Sequence, residues 1–296
     1  MAGDGRAVYP VVAGRPAGVA AGQTLVTGTV QEFAASGVVT LTTDFGLKDP
    51  FVGVMKGRLV AGFPAVRIID LTHEIPAHWP AEAGFWLSRS FRYFPVGTVH
   101  VAVVDPGVGG ARAIAAVEAA GHLFLAPDNG LLAPVIESVS VVCARHVSGA
   151  VLVRLGVDAP SATFHGRDIF APLAAAVAAG RLLPADLGDA VGELVPGWIE
   201  EPTVVGAQLT GTVVTIDHFG NLITNIEARH LEGLVHPVVR AAGRDLPLRR
   251  TYSDVRPGDY LALVNSFGVL EIARAERSAA EGLGLARGAP VTVVSK

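Results

Sequence analysis

The stretch VVTLTTDFG, residues 38–46, contains a β-branched run that ends in an acidic residue and a glycine. Such a run favours a strand, and Asp and Gly favour the turn that ends it. The same pattern, an apolar run that ends in an acidic residue and a glycine, recurs in TVHVAVVDPG at residues 98–107. Apolar residues at helical spacing follow the first strand at 52–61, and VRIIDL at 66–71 predicts another strand before a second helical stretch at 81–94. Strands that alternate with helices predict an α/β domain with a mostly parallel central sheet.

A further helix is predicted over residues 168–180. Asp168 would be its N-cap, Pro172 lies in its first turn, and Gly180 would end it.

The second half of the chain has a different pattern. Short apolar runs at 213–216, 260–264, 269–272 and 291–294 are separated by Gly, Asn and Asp, which predicts a smaller β-barrel-like domain. We therefore expect an N-terminal α/β domain at 37–195 and a C-terminal β domain at 203–296, joined by the Pro- and Gly-containing segment Glu193–Pro202. Residues 1–36 are rich in Gly, Ala and Val without a compact apolar core, and we interpret them as a flexible leader.

Composition excludes several classes of protein. With 50% hydrophobic and 17% charged residues, the 296-residue chain is unlike a disordered one. Its net charge of −4 argues against a partner with a phosphate backbone, so we expect no nucleic acid. The sequence lacks the roughly 18 consecutive apolar residues that a membrane span needs. The single cysteine, Cys143, rules out an internal disulfide and favours a reducing, cytoplasmic location.

Two acidic residues follow predicted strands, Asp44 and Asp105. Ligands of open α/β sheets bind outside the carboxyl ends of strands, so both are candidates for a functional site. The alternative is that each Asp merely caps a turn before glycine. None of the polar clusters forms a phosphate-binding loop, a nucleophile elbow or a dinucleotide fingerprint.

A metal site is not expected. The chain contains several histidines, but the spacing of His73, His78, His100 and His218 matches no zinc pattern.

Seven motifs in one order resemble a known family, the S-adenosyl-L-methionine (SAM) hydroxide adenosyltransferases, which are related to fluorinating and chlorinating SAM enzymes. The motifs are LTTDFG (41–46), MKG (55–57), DLTHEI (70–75), FPVGTVHVAVVDPGVG (94–109), APDNGLL (126–132), TFHGRD (163–168) and IDHFGN (216–221). The resemblance implies the conversion of SAM and water into adenosine and L-methionine, with no cofactor. It also implies a homotrimer, in which SAM lies between the N-terminal domain of one subunit and the C-terminal domain of the next.

The resemblance assigns water activation to Asp105, Arg112 and His165. A sulfonium is already a good leaving group, whereas neutral water is a weak nucleophile that must lose a proton as it attacks. Arg112 paired with Asp105 would make that carboxylate a poor lone base, so we favour His165 as the proton acceptor, with Asp105 as the alternative. The alternative without catalysis is that Asp105 and Arg112 form a structural ion pair and that His165 is an ordinary buried histidine.

The resemblance also assigns the ribose and sulfonium contacts. Asp44 matches the residue that accepts hydrogen bonds from the ribose hydroxyls. Trp79 and Phe164 match apolar walls around the ribose and the sulfonium, although core packing would also explain Trp79.

Four further residues match contacts to the two ends of SAM. Asp49 and Asp217 correspond to residues that hold the methionine ammonium group, and Asn221 corresponds to the contact with the adenine edge. Ser266 matches a contact to the methionine carboxylate. Phe267 stands where the halogenating relatives have Arg, which leaves the partner of that carboxylate open.

Two other functions are compatible with this sequence: a SAM-dependent halogenase, and a SAM- or adenosine-binding protein without turnover. The halogenating relatives carry Tyr at the position of Asp105 and an inserted loop that is not found after Arg112. A carboxylate facing the nucleophile would repel a halide, so the sequence favours water.

Overall fold

A computed structural model describes residues 33–295, which form two compact units that divide between Trp198 and Ile199. This division falls inside the segment expected to join the domains. Residues 1–32, most of the predicted leader, lie outside the described residues. The predicted start of the N-terminal domain at residue 37 is too late. Phe33 is already buried in the core of this domain, and its backbone N–H donates to Glu118.

The first unit contains a six-stranded mixed sheet. Its strands are β1 (Val38–Thr43), β2 (Arg67–Thr72), β3 (Val99–Val103), β4 (Ile114–Ala119), β5 (His122–Pro127) and β6 (Val141–His146), in the order β2-β1-β3-β5-β4-β6. The first four strands in this order are parallel, whereas β4 runs antiparallel to both of its neighbours. The tight turn at Ala120 and Gly121, both with positive φ, reverses the chain between β4 and β5. The predicted mostly parallel α/β sheet is confirmed.

Helices cover both faces of this sheet. They are α1 (Phe51–Gly62), α2 (Pro80–Ser90), α3 (Ala133–Ser138), α4 (Gly149–Arg154) and α5 (Ala171–Ala178). Val101 of β3 packs with α1 and α5, and the next residue, Ala102, packs with α2 and α3. Because successive strand residues point to opposite faces, a sheet with two apolar faces requires the continuous apolar runs seen in the sequence.

The predicted N-cap at Asp168 is wrong. Asp168 lies inside a π-helical turn, Gly166–Phe170, that precedes α5. Its carboxylate accepts from Arg167 and from the backbone N–H of Ser161 instead of capping a helix.

The second unit is a barrel-like antiparallel sheet. Its elements are β7 (Thr203–Val205), β8 (Gln208–Ile216), β9 (Leu222–Glu227), β10 (Val238–Ala241), β11 (Arg244–Pro247), β12 (Tyr260–Val264), β13 (Val269–Arg274), α6 (Ala279–Leu283) and β14 (Pro290–Val294). The strand order is β11-β10-β14-β8-β9-β13-β12, with β7 beside β8. The chain after β11 returns to β12, where the Arg249 N–H donates to the Ala262 carbonyl at 2.8 Å. The predicted β-barrel-like fold is confirmed.

Within residues 33–295, no helix is both long enough and apolar enough to cross a membrane.

Candidate active site

Asp105 and Arg112 form a buried ion pair at the carboxyl end of β3. Arg112 Nε lies 3.1 and 3.0 Å from the two oxygens of Asp105, and Arg112 Nη2 lies 2.5 Å from Oδ2. The side chains are only 4% and 12% exposed, respectively. In this position the charges are poorly screened by solvent, and the guanidinium fixes the plane of the carboxylate.

His165 completes the group from a distant part of the chain. It directly precedes the turn Gly166–Phe170, and its Nδ1 lies 2.7 Å from Arg112 Nη2. A guanidinium has no acceptor, so His165 Nδ1 must accept this hydrogen bond and the neutral ring carries its proton on Nε2. Burial and the positive charge of Arg112 lower the pKa of His165, which keeps the ring neutral near pH 7.

This geometry contradicts the hypothesis that His165 is the proton acceptor. The lone pair on Nδ1 is used by Arg112, and Nε2–H can only donate. Asp105 is the remaining anion of the group, and a carboxylate has room for a further hydrogen bond beyond those from Arg112.

Asp105 and His165 line a cavity with a volume of 620 Å³. Asp44, which follows β1, lines the same cavity. One of its oxygens accepts from the backbone N–H of His78 at 2.9 Å. His78 has a positive φ of 64°, an uncommon conformation for a residue with a side chain, and it also lines the cavity. Sequence reasoning considered His78 only as a metal ligand and missed this contact, because a backbone donor leaves no signal in residue type.

Three aromatic rings form one wall of this cavity. Phe164 lies there as predicted, with Phe45 at 5.9 Å and Phe51 at 5.5 Å between ring centroids, both edge to face. Phe45 and Phe51 were missed by sequence reasoning, although Phe45 directly follows Asp44 and Phe51 begins the next helix. An aromatic wall of this kind suits a cation such as a sulfonium.

Trp79 and Asp49 do not take part in this cavity. Among the described residues that line it, Trp79 is missing, and its ring instead packs against Trp198 with 6.2 Å between centroids. Ala77 and His78 line the cavity instead, and the assignment of Trp79 to a wall around the ribose and the sulfonium stays a prediction. Asp49 lies exposed in the loop between β1 and α1, outside the lining.

The second unit has a pocket of its own, of 530 Å³, that contains Asn221. Phe219, Tyr252 and Arg277 also line it. Asn221 donates from Nδ2 to Asp217 Oδ2 at 3.0 Å, while Asp217 Oδ1 accepts the backbone N–H of Asn221 at 2.9 Å. Asp217 thus fixes the orientation of Asn221 within the turn after β8.

A buried carboxylate supports the same pocket. Glu271 on β13 accepts from the Tyr252 hydroxyl at 2.7 Å and from Asn265 Nδ2 at 3.1 Å. Burial raises the pKa of Glu271 and also that of Tyr252. Ser266 lies exposed in the turn that follows Asn265, so Glu271 connects the pocket wall with the base of that turn.

Among residues 33–295, no three His, Cys, Asp or Glu side chains come together as a metal site would require.

Two family models cover most of the chain. The SAM hydroxide adenosyltransferase N-terminal domain matches residues 39–188, and the C-terminal domain of the same family matches residues 211–292.

Curated relatives match over almost their full length. The (R)-S-adenosyl-L-methionine hydrolase of Thermus thermophilus is 39% identical, over 86% of this chain and 99% of that protein. The protein of the same name from Salinispora arenicola is 40% identical, over 87% and 97%. A fluorinase from Actinoplanes is 32% identical, over 86% and 97%.

Solved structures share the fold. A conserved protein from Thermotoga maritima superposes with a TM-score of 0.80 at 33% identity, covering 87% of this chain and 99% of that one. Together with the two matched domains, these similarities establish that the chain belongs to the SAM hydroxide adenosyltransferase family.

Proposed function

We propose that the protein hydrolyses SAM to adenosine and L-methionine by attack of water at C5′ of the ribose. The observation that carries this proposal is that Asp105 and His165, both hydrogen-bonded to Arg112, line the cavity that Asp44 also lines. Relatives at about 40% identity that are named SAM hydrolases support it.

Asp105 and His165 hold the attacking water in complementary ways. His165 Nε2–H donates to the water oxygen, and the free side of Asp105 Oδ1 accepts one of its hydrogens. The oxygen then forms a bond to C5′ as the C5′–S bond breaks, and the electron pair of that bond neutralises the sulfonium to give the thioether of methionine. Asp105 receives the proton and passes it to solvent, while Arg112 keeps the carboxylate in place.

Asp44 and the aromatic wall orient the substrate. The Asp44 carboxylate accepts from the 2′- and 3′-hydroxyls, and the His78 N–H fixes the carboxylate before the substrate arrives. Phe164, Phe45 and Phe51 face the sulfonium and exclude bulk water.

The second unit supplies the remaining contacts. Asn221, oriented by Asp217, binds the adenine edge, and Ser266 contacts the methionine carboxylate. Asp217 also holds the methionine ammonium group, together with Asp49 of the first unit.

The substrate is the R epimer at the sulfonium sulfur, the epimer for which the relatives are named. Purified protein should be incubated with each sulfonium epimer separately, with and without fluoride or chloride, and the products separated by chromatography. Adenosine and methionine in equal amounts from the R epimer, independent of halide, support the proposal. A halogenated 5′-deoxyadenosine would assign a halogenase instead, and bound but uncleaved SAM would assign a binding protein.

The active assembly is a homotrimer, with each site built from the first unit of one copy and the second unit of its neighbour. Light scattering measures the number of copies. Mixing subunits tests the shared site: Asp105→Asn and Asn221→Ala proteins, each weakly active alone, should regain activity when they are mixed and reassembled. No recovery in mixed trimers would place both halves of the site in one copy.

Hydrolysis of a sulfonium needs no cofactor, because the leaving group already carries the positive charge. A cytoplasmic location suits the single cysteine, Cys143, because such a compartment is reducing.

A further inference from the structure

The loop that carries Asp105 and Arg112 has little to hold it rigid internally. Of the residues between them, Gly107, Gly109 and Gly110 have no side chain. Two backbone turns form within the loop. Those turns are closed by Val108 N–H to the Asp105 carbonyl at 3.2 Å and Gly110 N–H to the Gly107 carbonyl at 3.0 Å. The ends of such a loop must be fixed from outside if the ion pair is to form at one geometry.

Both ends are held by the same two residues, Asp128 and Asn129. The Asp128 N–H donates to the carbonyl of Ala113, the residue after Arg112, at 3.0 Å. Asn129 Nδ2 donates to the carbonyl of Val104, the residue before Asp105, at 2.9 Å. The dipeptide directly follows β5, with which both β3 and β4 pair, and it therefore ties both ends of the loop to one point of the chain.

Asn129 is itself held by hydrogen bonds to its side chain and to its backbone carbonyl. Its Oδ1 accepts from the Leu131 N–H at 3.3 Å, and its carbonyl accepts from Trp198 Nε1 at 2.8 Å. Gly130, with φ of 89°, leaves the space that Trp198 needs, because a Cβ there would lie 2.9 Å from Trp198 Nε1.

The neighbouring Asp128 is held equally firmly. Its two carboxylate oxygens accept from His146 Nε2 and from the Val195 N–H, both at 2.8 Å. The dipeptide thus has few degrees of freedom left, which suits an anchor.

We infer that Asn129 is a positioning residue for hydrolysis: its side-chain amide holds the Val104 carbonyl so that Asp105 meets Arg112 in the geometry that activates water. This inference rests on the proposed function. Asn129 acts through the loop and is not among the described residues that line the cavity. An amide is required because the side chain donates to Val104 while it accepts from Leu131, and a carboxylate could do only the second.

The test compares Asn129→Ala with a matched control, Asn225→Ala. Asn225 also donates from Nδ2 to a backbone carbonyl, that of Glu200, and accepts a backbone N–H, that of Thr212, both at 2.8 Å. We expect Asn129→Ala to lower kcat by about 10²-fold, the scale of a misplacement near 1 Å, with KM changed less than about threefold. The control should leave both constants within about twofold of the wild type.

A double-variant cycle separates positioning from general damage. A residue that acts through Asp105 has nothing left to position once that carboxylate is replaced, so Asn129→Ala in the Asp105→Asn background should lower the remaining rate less than about twofold. An equal loss in both backgrounds, or a rise in KM alone, would overturn the inference. Should the alanine variant not fold, Asn129→Asp has the same shape and keeps the acceptor for Leu131, but replaces the donor to Val104 with a negatively charged oxygen.

A spectroscopic measurement keeps the inference testable if the protein does not hydrolyse SAM. The Nε–H signal of Arg112 in the ligand-free protein, assigned by its loss in Arg112→Lys, reports the bond to Asp105. Asn129→Ala and Asn129→Asp should shift or broaden this signal, and Asn225→Ala should not. An unmoved Arg112 signal in both Asn129 variants would refute the positioning role whatever the substrate is.

Discussion

Replacing Asp105 by Asn tests both the contribution of the ion pair to stability and the role of the carboxylate in activating water. Both oxygens of Asp105 accept hydrogen bonds from Arg112, and the carboxylate is 4% exposed. Asn offers one acceptor and an NH₂ group that would face the guanidinium donors. The substitution therefore leaves Arg112, 12% exposed, without its counter-charge and adds a donor–donor contact.

The expected loss of stability follows from this burial. Two unit charges about 4 Å apart attract by about 4 kcal/mol at an effective dielectric constant of about 20. Removing one member of a buried pair typically costs about 3–5 kcal/mol, because the other is left buried and unpaired. We therefore expect Asp105→Asn to lower the free energy of unfolding by about 3–4 kcal/mol. Its kcat should fall by about 10²–10⁴-fold, the usual contribution of a group that accepts the proton.

Denaturant unfolding and steady-state kinetics measure the two effects separately. Asp245→Asn is the matched control, because Asp245 pairs with Arg240 at 2.8 Å but both side chains are 51% exposed. That control should lose at most about 1 kcal/mol and no activity. Asp105→Asn with an unchanged kcat would refute the role of this carboxylate, and a stability loss no larger than in the control would refute the account of the ion pair.

His165→Gln, which keeps a donor near the place of Nε2–H, should retain more activity than His165→Ala, and equal losses in the two variants would contradict the donor role. The buried pair His100 and His122 should destabilise the fold in acid. Burial lowers the pKa of both, so the unfolded chain binds protons that the native state does not. The free energy of unfolding therefore falls as the pH drops below about 6.5, by about 1.4 kcal/mol per pH unit for each such proton. His100→Gln should flatten that slope in denaturation series between pH 5 and 7, and an unchanged slope would exclude His100 as its source. Burial raises the pKa of Glu271, so its contribution to stability has the opposite pH dependence: it is present below pH 4.5 and is lost as the pH rises through the native pKa. Glu271→Gln should remove this loss of stability. A variant with the same pH dependence of stability as the wild type would contradict this prediction. Prolonged incubation with EDTA should leave turnover unchanged, and a loss restored by a divalent cation would show that a metal takes part.

The strands of the parallel part of the first sheet could be predicted from the sequence. The run from Val38 to Thr43 is continuously apolar or β-branched, as a strand buried on both faces requires, and the structure places β1 over those residues. The β4–β5 hairpin was not predicted. Its first strand, β4, is rich in alanine, and its turn at Ala120 places a residue without turn preference in a positive φ.

The site was predictable where a functional side chain follows a strand. Asp44 and Asp105 carry that signal, and the structure places both in one cavity. The hydrogen bond that fixes the tautomer of His165 could not be predicted, because it depends on how a loop with three glycines folds Arg112 back. The position of Trp79 against Trp198 depends on a contact between residues that are more than a hundred positions apart, which no local pattern indicates.

The most direct test of water attack at C5′ is the fate of the solvent oxygen. The reaction should be run in H₂¹⁸O with the R epimer of SAM, and the products examined by mass spectrometry. Our account predicts one ¹⁸O atom in adenosine, at the 5′-hydroxyl, and none in methionine. Label in methionine, or adenosine without label, would contradict it.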